Sequence, residues 1–109
     1  MTLPSVDPEV ERVLVVVVGT VERLEVLLRL RHEAPSPFTA RVLGAAMSIA
    51  TSTAGTHLAI LCSRGFLSVR IATDLIYTYR PLSPKIAHLA DEIAHLWQTR
   101  RAEVVALLE

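Results

Sequence analysis

Residues 13–31, VLVVVVGTVERLEVLLRLR, decide how the rest of the chain is read. Four consecutive valines, Val15 to Val18, are stiff about χ1, and β-branched side chains fit a pleated surface better than a helix. The run predicts a strand buried on both faces. Gly19-Thr20 then turns the chain. Beyond it Leu24, Val26, Leu28 and Leu30 face one way, and Arg23, Glu25, Arg29 and Arg31 the other, with Leu27 among the charges. Period-two alternation predicts a half-exposed strand. Two strands around so short a turn predict a hairpin.

Outward from this stretch, Asp7-Pro8-Glu9 reads as an N-cap, a first-position proline and a first-turn acid. Residues 1–10 are therefore expected to be either a short helix or a flexible lead. Downstream, HEAPSPF (residues 32–38) is a linker, with Ser36 as cap and Pro37 at the first helical position. Phe38, Val42, Leu43, Ala46 and Ile49 follow at helical spacing, and Gly44 to Ala46 give a thin face. That helix is predicted to end near TSTAG (residues 51–55), where Gly55 can turn left-handed. HLAILCSRGFLSVRIATDLIYTY (residues 57–79) reads as a second hairpin around Arg64-Gly65. Leu58, Ile60 and Cys62 share one face of its first strand, and Leu67, Val69 and Ile71 one face of its second. PLSPKIAHLADEIAHLW (residues 81–97) is a helix capped by Ser83 with Pro84 at its first position. Its stripe of Ile86, Leu89, Ile93, Leu96 and Trp97 continues through Val104, Val105 and Leu108. The order (α)ββαββα predicts an α+β two-layer sandwich. It comprises a four-stranded antiparallel sheet with helices packed on one face, in a single domain over residues 1–109.

Composition bounds the partners. Hydrophobic residues make up 51% of the 109 and aromatics 5%, so the core is aliphatic. The apolar excess, and a VLVVVV run that needs cover on both faces, predict a homodimer or higher oligomer. Acids and bases balance at 11 each, which offers no field for nucleic acid or an anionic membrane, and neither is expected as a partner. Cys62 stands alone, so no disulfide framework and no cysteine metal site is expected. A reducing cytoplasm is the simplest setting. Neither a metal nor a cofactor is predicted. The acidic lead before the first apolar run is unlike a secretory signal. Residues 42–63 carry no Asp, Glu, Lys or Arg, but six Ser/Thr, two glycines and His57 argue against a membrane span.

The run LSPKIAHLADEIAHL (residues 82–96) resembles the pterin-4a-carbinolamine dehydratases. Leu82, Ser83, Leu89, Ala90 and Ile93 fall in the register of that family's C-terminal helix. FLSVRIAT (residues 66–73) is similar to its last strand, and the looser likeness spans residues 13–97. The resemblance implies a small α+β dimer with lyase chemistry. Where that family carries Glu and His-His-Pro, this chain has SIATSTAGTHLAIL (residues 48–61), with His57 the one histidine. Thr73-Asp74 stands in place of a Thr-His pair, and Ile86 in place of an aspartate. The resemblance therefore implies fold and dimer more than pterin chemistry.

His57 is a candidate general acid or base, and equally a loop histidine shielded by the sheet. Asp74 is the second candidate catalytic residue, orienting the substrate with Tyr77 or Tyr79. Tyr77, Tyr79 and Thr73 are candidate substrate-binding residues, supplying hydroxyls and ring faces; the tyrosines equally suit a dimer contact. His88, Asp91, Glu92 and His95 share a helix face, but the two histidines lie about 10 Å apart along it, too far to share one ion. A solvated face is expected there. The functional expectation is a dehydratase-like lyase or cyclase acting on a mostly apolar small molecule by a single proton transfer. The alternative is a non-catalytic dimeric assembly module on the same fold, as in RuBisCO assembly factors. An authentic pterin dehydratase stands third.

Overall fold

A computed structural model describes residues 3–109; Met1 and Thr2, within the expected lead, lie outside the described residues. Helix α1 (Pro8–Arg12) runs on into a π-helical segment (Val13–Val18). Then come α2 (Val21–His32), α3 (Ala40–Met47), α4 (Thr51–Ser63), strands β1 (Leu67–Ile71) and β2 (Leu75–Tyr79), α5 (Pro84–Thr99) and α6 (Arg101–Leu108). The expected four-stranded sandwich is not formed. Among the described residues the sheet has two antiparallel strands, with one added bridge from Phe38 to Tyr77.

The difference from a sandwich begins in residues 13–31. Val13, Leu14 and Val18 are buried on a helical, not an extended, backbone. The Gly19 N–H donates to the Leu14 carbonyl at 2.8 Å, the five-residue spacing of a π turn. Gly19, at φ +82°, ends that helix. Thr20 starts the next, its hydroxyl accepting from the Arg23 N–H at 3.1 Å. Gly-Thr thus punctuates two helices rather than a hairpin. In α2 the residues Leu24, Val26, Leu27 and Leu30 are all fully buried. Leu27, the misfit of the alternating pattern, belongs to a helical face of three- and four-residue steps. Burying a leucine is worth about 1.5–3 kcal/mol, whereas a valine costs a helix under about 0.7 kcal/mol. Tertiary burial therefore outweighs propensity. Val15 and Val16 remain 45% and 62% exposed, so this chain covers only one side of the valine run.

The third helix starts later than expected: Thr39, not Ser36, is its cap and accepts from the Val42 N–H at 3.2 Å. TSTAG opens α4 instead of ending α3, and HLAILC is helix, with Ala54, His57, Leu58 and Leu61 buried. Arg64-Gly65 ends this helix, Gly65 at φ +91°. FLSVRI does form a strand, but its partner is LIYTY downstream, in the register Leu67↔Tyr79, Val69↔Tyr77 and Ile71↔Leu75.

The outer helices follow their start signals. Asp7 accepts from the Glu9 N–H at 2.9 Å, and Ser83 from the Ile86 N–H at 3.3 Å. Helix α5 buries Ala90, Ile93, Ala94 and Leu96. It is pinned to α1 by Lys85–Glu9 at 3.0 Å and to α2 by Arg31–Asp91 at 2.9 Å. Among the described residues no single helix is long and apolar enough to cross a membrane; the uncharged stretch is split between α3 and α4, which bend by 114°.

Candidate functional site

Helices α3 and α4 are joined by three residues, Ser48, Ile49 and Ala50, and diverge by 114°. Ser48 takes a left-handed conformation, φ 58° and ψ 42°, that stops α3. The Ile49 N–H then donates to the Gly44 carbonyl at 2.9 Å. A Cβ on Gly44 would stand 2.9 Å from the Ile49 carbonyl oxygen, so the turn closes this tightly because residue 44 has no side chain.

Packing divides α4 into two faces. Ala54, His57, Leu58 and Leu61 point into the core; Thr51, Ser52, Thr56, Ala59 and Ser63 are exposed. The exposed face carries hydroxyls and methyls, and no charge. Charge stands at its margins instead: Arg41 in the first turn of α3, Arg64 just past α4, and Arg70 on β1, all exposed. Among the described residues none of the three makes an ion pair or a side-chain hydrogen bond. The β1–β2 hairpin projects beside α4, with Ile71 80% exposed near its end.

The residues singled out from the sequence are dispersed over this frame. His57 lies on the inner face of α4, buried to 7% exposure. Its Nε2 lies 2.7 Å from Glu22 Oε1, and its Nδ1 accepts from Arg23 Nε at 3.2 Å. Arg23 also donates to the Val18 carbonyl at 2.8 Å. Thr73 and Asp74 sit at the hairpin turn, where the Asp74 carboxylate accepts from the Leu75 N–H at 2.8 Å. Tyr77 is buried, exchanging two backbone hydrogen bonds of 2.8 Å with Phe38. Its phenol is pushed above its ordinary value, by burial first and then by Cys62 and Asp74 nearby. Tyr79 is shifted the same way, by burial and Asp91, against the opposing pull of Arg31. Two open grooves flank the hairpin. One of about 710 Å³ includes Tyr79 alone of the five, and one of about 570 Å³ includes none of them. His88 stands 3.9 Å from Glu92, while Asp91 is taken by Arg31.

Reading the sequence missed α4 as a helix, and with it Glu22 and Arg23 as inward partners of His57. The available signal was the spacing Ala54, His57, Leu58, Leu61, which competes with the alternation Leu58, Ile60, Cys62. Of that alternation Leu58 alone is buried; Ile60 and Cys62 are only partly so.

Three helices with a short strand position at Phe38, the last two at an open angle across a three-residue turn, followed by a β-hairpin against α4, define a winged helix-turn-helix fold. No family model matches the sequence, and no curated protein matches it. Solved structures do share the fold. A possible transcriptional regulator from Methanosarcina mazei superposes with a TM-score of 0.60 at 17% identity, over 97% of this chain and 93% of that one. Reduced HlyU from Vibrio cholerae gives 0.59 at 20% identity, over 84% and 90%. A cysteine-to-serine mutant of MarR from E. coli, complexed with operator DNA, gives 0.59 at 17% identity, over 93% and 75%. These likenesses replace the resemblance to pterin-4a-carbinolamine dehydratases, which rested on the expected order of elements, one amphipathic helix and one strand. The lyase or cyclase expectation, its assembly-module alternative and the pterin reading fall with the sandwich that was to hold them. The exclusion of nucleic acid also falls. A zero net charge is a sum over the chain, whereas the MarR structure holds operator DNA on this same fold.

Proposed function

We propose that this chain is a DNA-binding transcription regulator that sets α4 in the major groove and the β1–β2 wing beside it. The observation that carries the proposal is the uncharged outer face of α4, held out at 114° from α3 by a turn that Gly44 makes possible. Hydroxyls of Thr51 and Ser52 can donate to or accept from base edges; those of Thr56 and Ser63 donate to the Ser52 and Ile60 carbonyls at 3.0 and 2.7 Å and so present acceptors, and the methyls of Thr56 and Ala59 suit thymine C5-methyl groups. Arg41, Arg64 and Arg70 border that face and supply phosphate contacts, which fix register without reading sequence. In this arrangement Thr73 and Asp74 are wing-tip residues. Asp74 caps its own turn, and Thr73 offers a hydroxyl to the sugar-phosphate backbone. A cytoplasmic location follows from access to the chromosome.

The test is selection from random-sequence duplexes of about 30 base pairs, enough for two half-sites a helical turn apart, followed by fluorescence anisotropy on the enriched pool. Enrichment of a shared sequence, with binding that weakens as salt rises, supports the proposal. No enrichment and no binding even at low salt overturns it.

A further inference from the structure

His57 is the one buried polar residue of the core among the described residues, and it sits in the back of the helix proposed to read DNA. We propose that neutral His57 is a positioning residue for α4. It locks the helix to the start of α2 and the end of the π-helical segment, so that a second proton on its ring loosens the helix and weakens DNA binding. The inference rests on the DNA-binding reading.

The hydrogen-bond pattern closes in one tautomer. The Glu22 carboxylate only accepts, so Nε2 carries the proton across the 2.7 Å contact. Arg23 only donates, so Nδ1 is a bare lone pair facing Arg23 Nε at 3.2 Å. The same guanidinium holds the Val18 carbonyl, the last residue of the π-helical segment, at 2.8 Å. A chain of contacts thus runs from Val18 through Arg23 and His57 into α4. A second proton must sit on Nδ1, where the Arg23 N–H already points. Two cations then face each other at hydrogen-bond distance, Arg23 has to withdraw, and both α4 and the Val18 carbonyl lose their partner. Glu22 is the opposing influence, since its carboxylate favours the imidazolium. The charged groups facing His57 from α2 are therefore Glu22 and Arg23, and residues 13–18 contribute none. The elements most extensively packed on α4 besides α2 are α3 and β1; their charged residues, Arg41 and Arg70, are exposed and, among the described residues, make no side-chain hydrogen bond or ion pair with it.

The sign of the effect is diagnostic. Acidification adds positive charge to His32, His88 and His95, all exposed, and by electrostatics alone tightens binding to a polyanion. The His57 contact works in the opposite direction. The experiment measures anisotropy of the enriched duplex between pH 8 and pH 5.5 for wild type, His57→Gln and Glu22→Gln. Hydrogen-exchange protection of residues 54–62, corrected for intrinsic rates, is followed in parallel. A glutamine amide can donate to Glu22 and accept from Arg23 without titrating. Expected is a roughly tenfold loss of wild-type affinity between pH 8 and pH 5.5, and no loss in His57→Gln. In Glu22→Gln the loss sets in at a lower pH than in wild type, because the carboxylate that favours the imidazolium is gone. Protection of α4 should fall with the affinity. A wild-type profile that is flat or rises toward acid, or a His57→Gln profile that matches wild type, overturns the inference. If wild type binds no duplex at pH 8, the DNA-binding reading fails by itself, and the protection data still decide the positioning role. Protection that falls with acid in wild type and holds in His57→Gln sustains it, and unchanged protection in both ends it.

Discussion

A Cβ on Gly44 would stand 2.9 Å from the carbonyl oxygen of Ile49, while the Ile49 N–H donates back to Gly44 across another 2.9 Å. In an ordinary exposed helix Gly→Ala gains about 1 kcal/mol. At position 44 the added methyl meets backbone, which cannot rotate away as a side chain can. Gly44→Ala is expected to destabilise the fold by about 1–3 kcal/mol, the usual range for overpacking. Urea unfolding should show a lower midpoint at unchanged slope. A more stable variant would show that the turn yields, and that its angle is not fixed by this contact.

Ser48 holds a left-handed conformation at φ 58° and ψ 42° with a side chain that gains nothing from it. Such a residue costs about 1–2 kcal/mol relative to glycine in the folded state, and glycine returns about half of that through its freer unfolded chain. Ser48→Gly should therefore stabilise by about 0.5–1 kcal/mol and raise Tm by a few degrees for a domain of this size. Ser48→Val, β-branched and exposed, should lower it. Equal melting of all three proteins would contradict the left-handed assignment.

How much of this was legible depends on which signal each residue carries. Asp7-Pro8 and Ser83-Pro84 are side-chain-to-backbone devices that work the same way in any surroundings, and both helices start where those residues say. FLSVRI is a strand for similarly local reasons. The valine run and VERLEVLLRLR failed because alternation and helical spacing coexist in them. Leu24, Val26 and Leu30 fit both patterns, and Leu27, fully buried, is the residue that separates the two. Gly19-Thr20 is equally ambiguous, since a left-handed glycine ends a helix as readily as it turns a hairpin. His57 was legible as a residue of interest but not its place. Its partners lie 34 and 35 residues away on α2, and that proximity exists only once the helices pack.

Tyr77 and Tyr79 make an alkaline prediction. Both phenols are held above their ordinary value near 10, chiefly by burial. In the unfolded chain they ionise near 10, so from about that pH upward the unfolded state loses protons first and stability falls with rising pH. Below pH 10 both states keep the phenols neutral and neither contributes. Thermal melts across pH 9 to 11 should decline for wild type and decline less for Tyr79→Phe, with phenolate absorbance appearing late in the folded protein. Parallel curves for the two proteins would mean that Tyr79 titrates in the fold as it does in the open chain.

Arg41, Arg64 and Arg70 carry the electrostatic part of the proposed DNA contact, and their effect separates cleanly from that of the reading face. Each released counterion contributes about −0.9 to the slope of log K against log salt. Three phosphate contacts per copy therefore predict a slope near −3, despite a net charge of zero. Changing any one of them to glutamine should weaken binding by a similar factor on every sequence and shrink the slope by about 1. Arg29→Gln is the control: Arg29 already pairs with Glu33 at 3.6 Å, four residues along α2, and its loss should leave the slope alone. Thr56→Val on the outer face of α4 should leave the salt slope intact and relax preference at one base position, by about 1–3 kcal/mol. If the three arginine variants keep the wild-type slope, the DNA does not approach α4 from the side that these residues border.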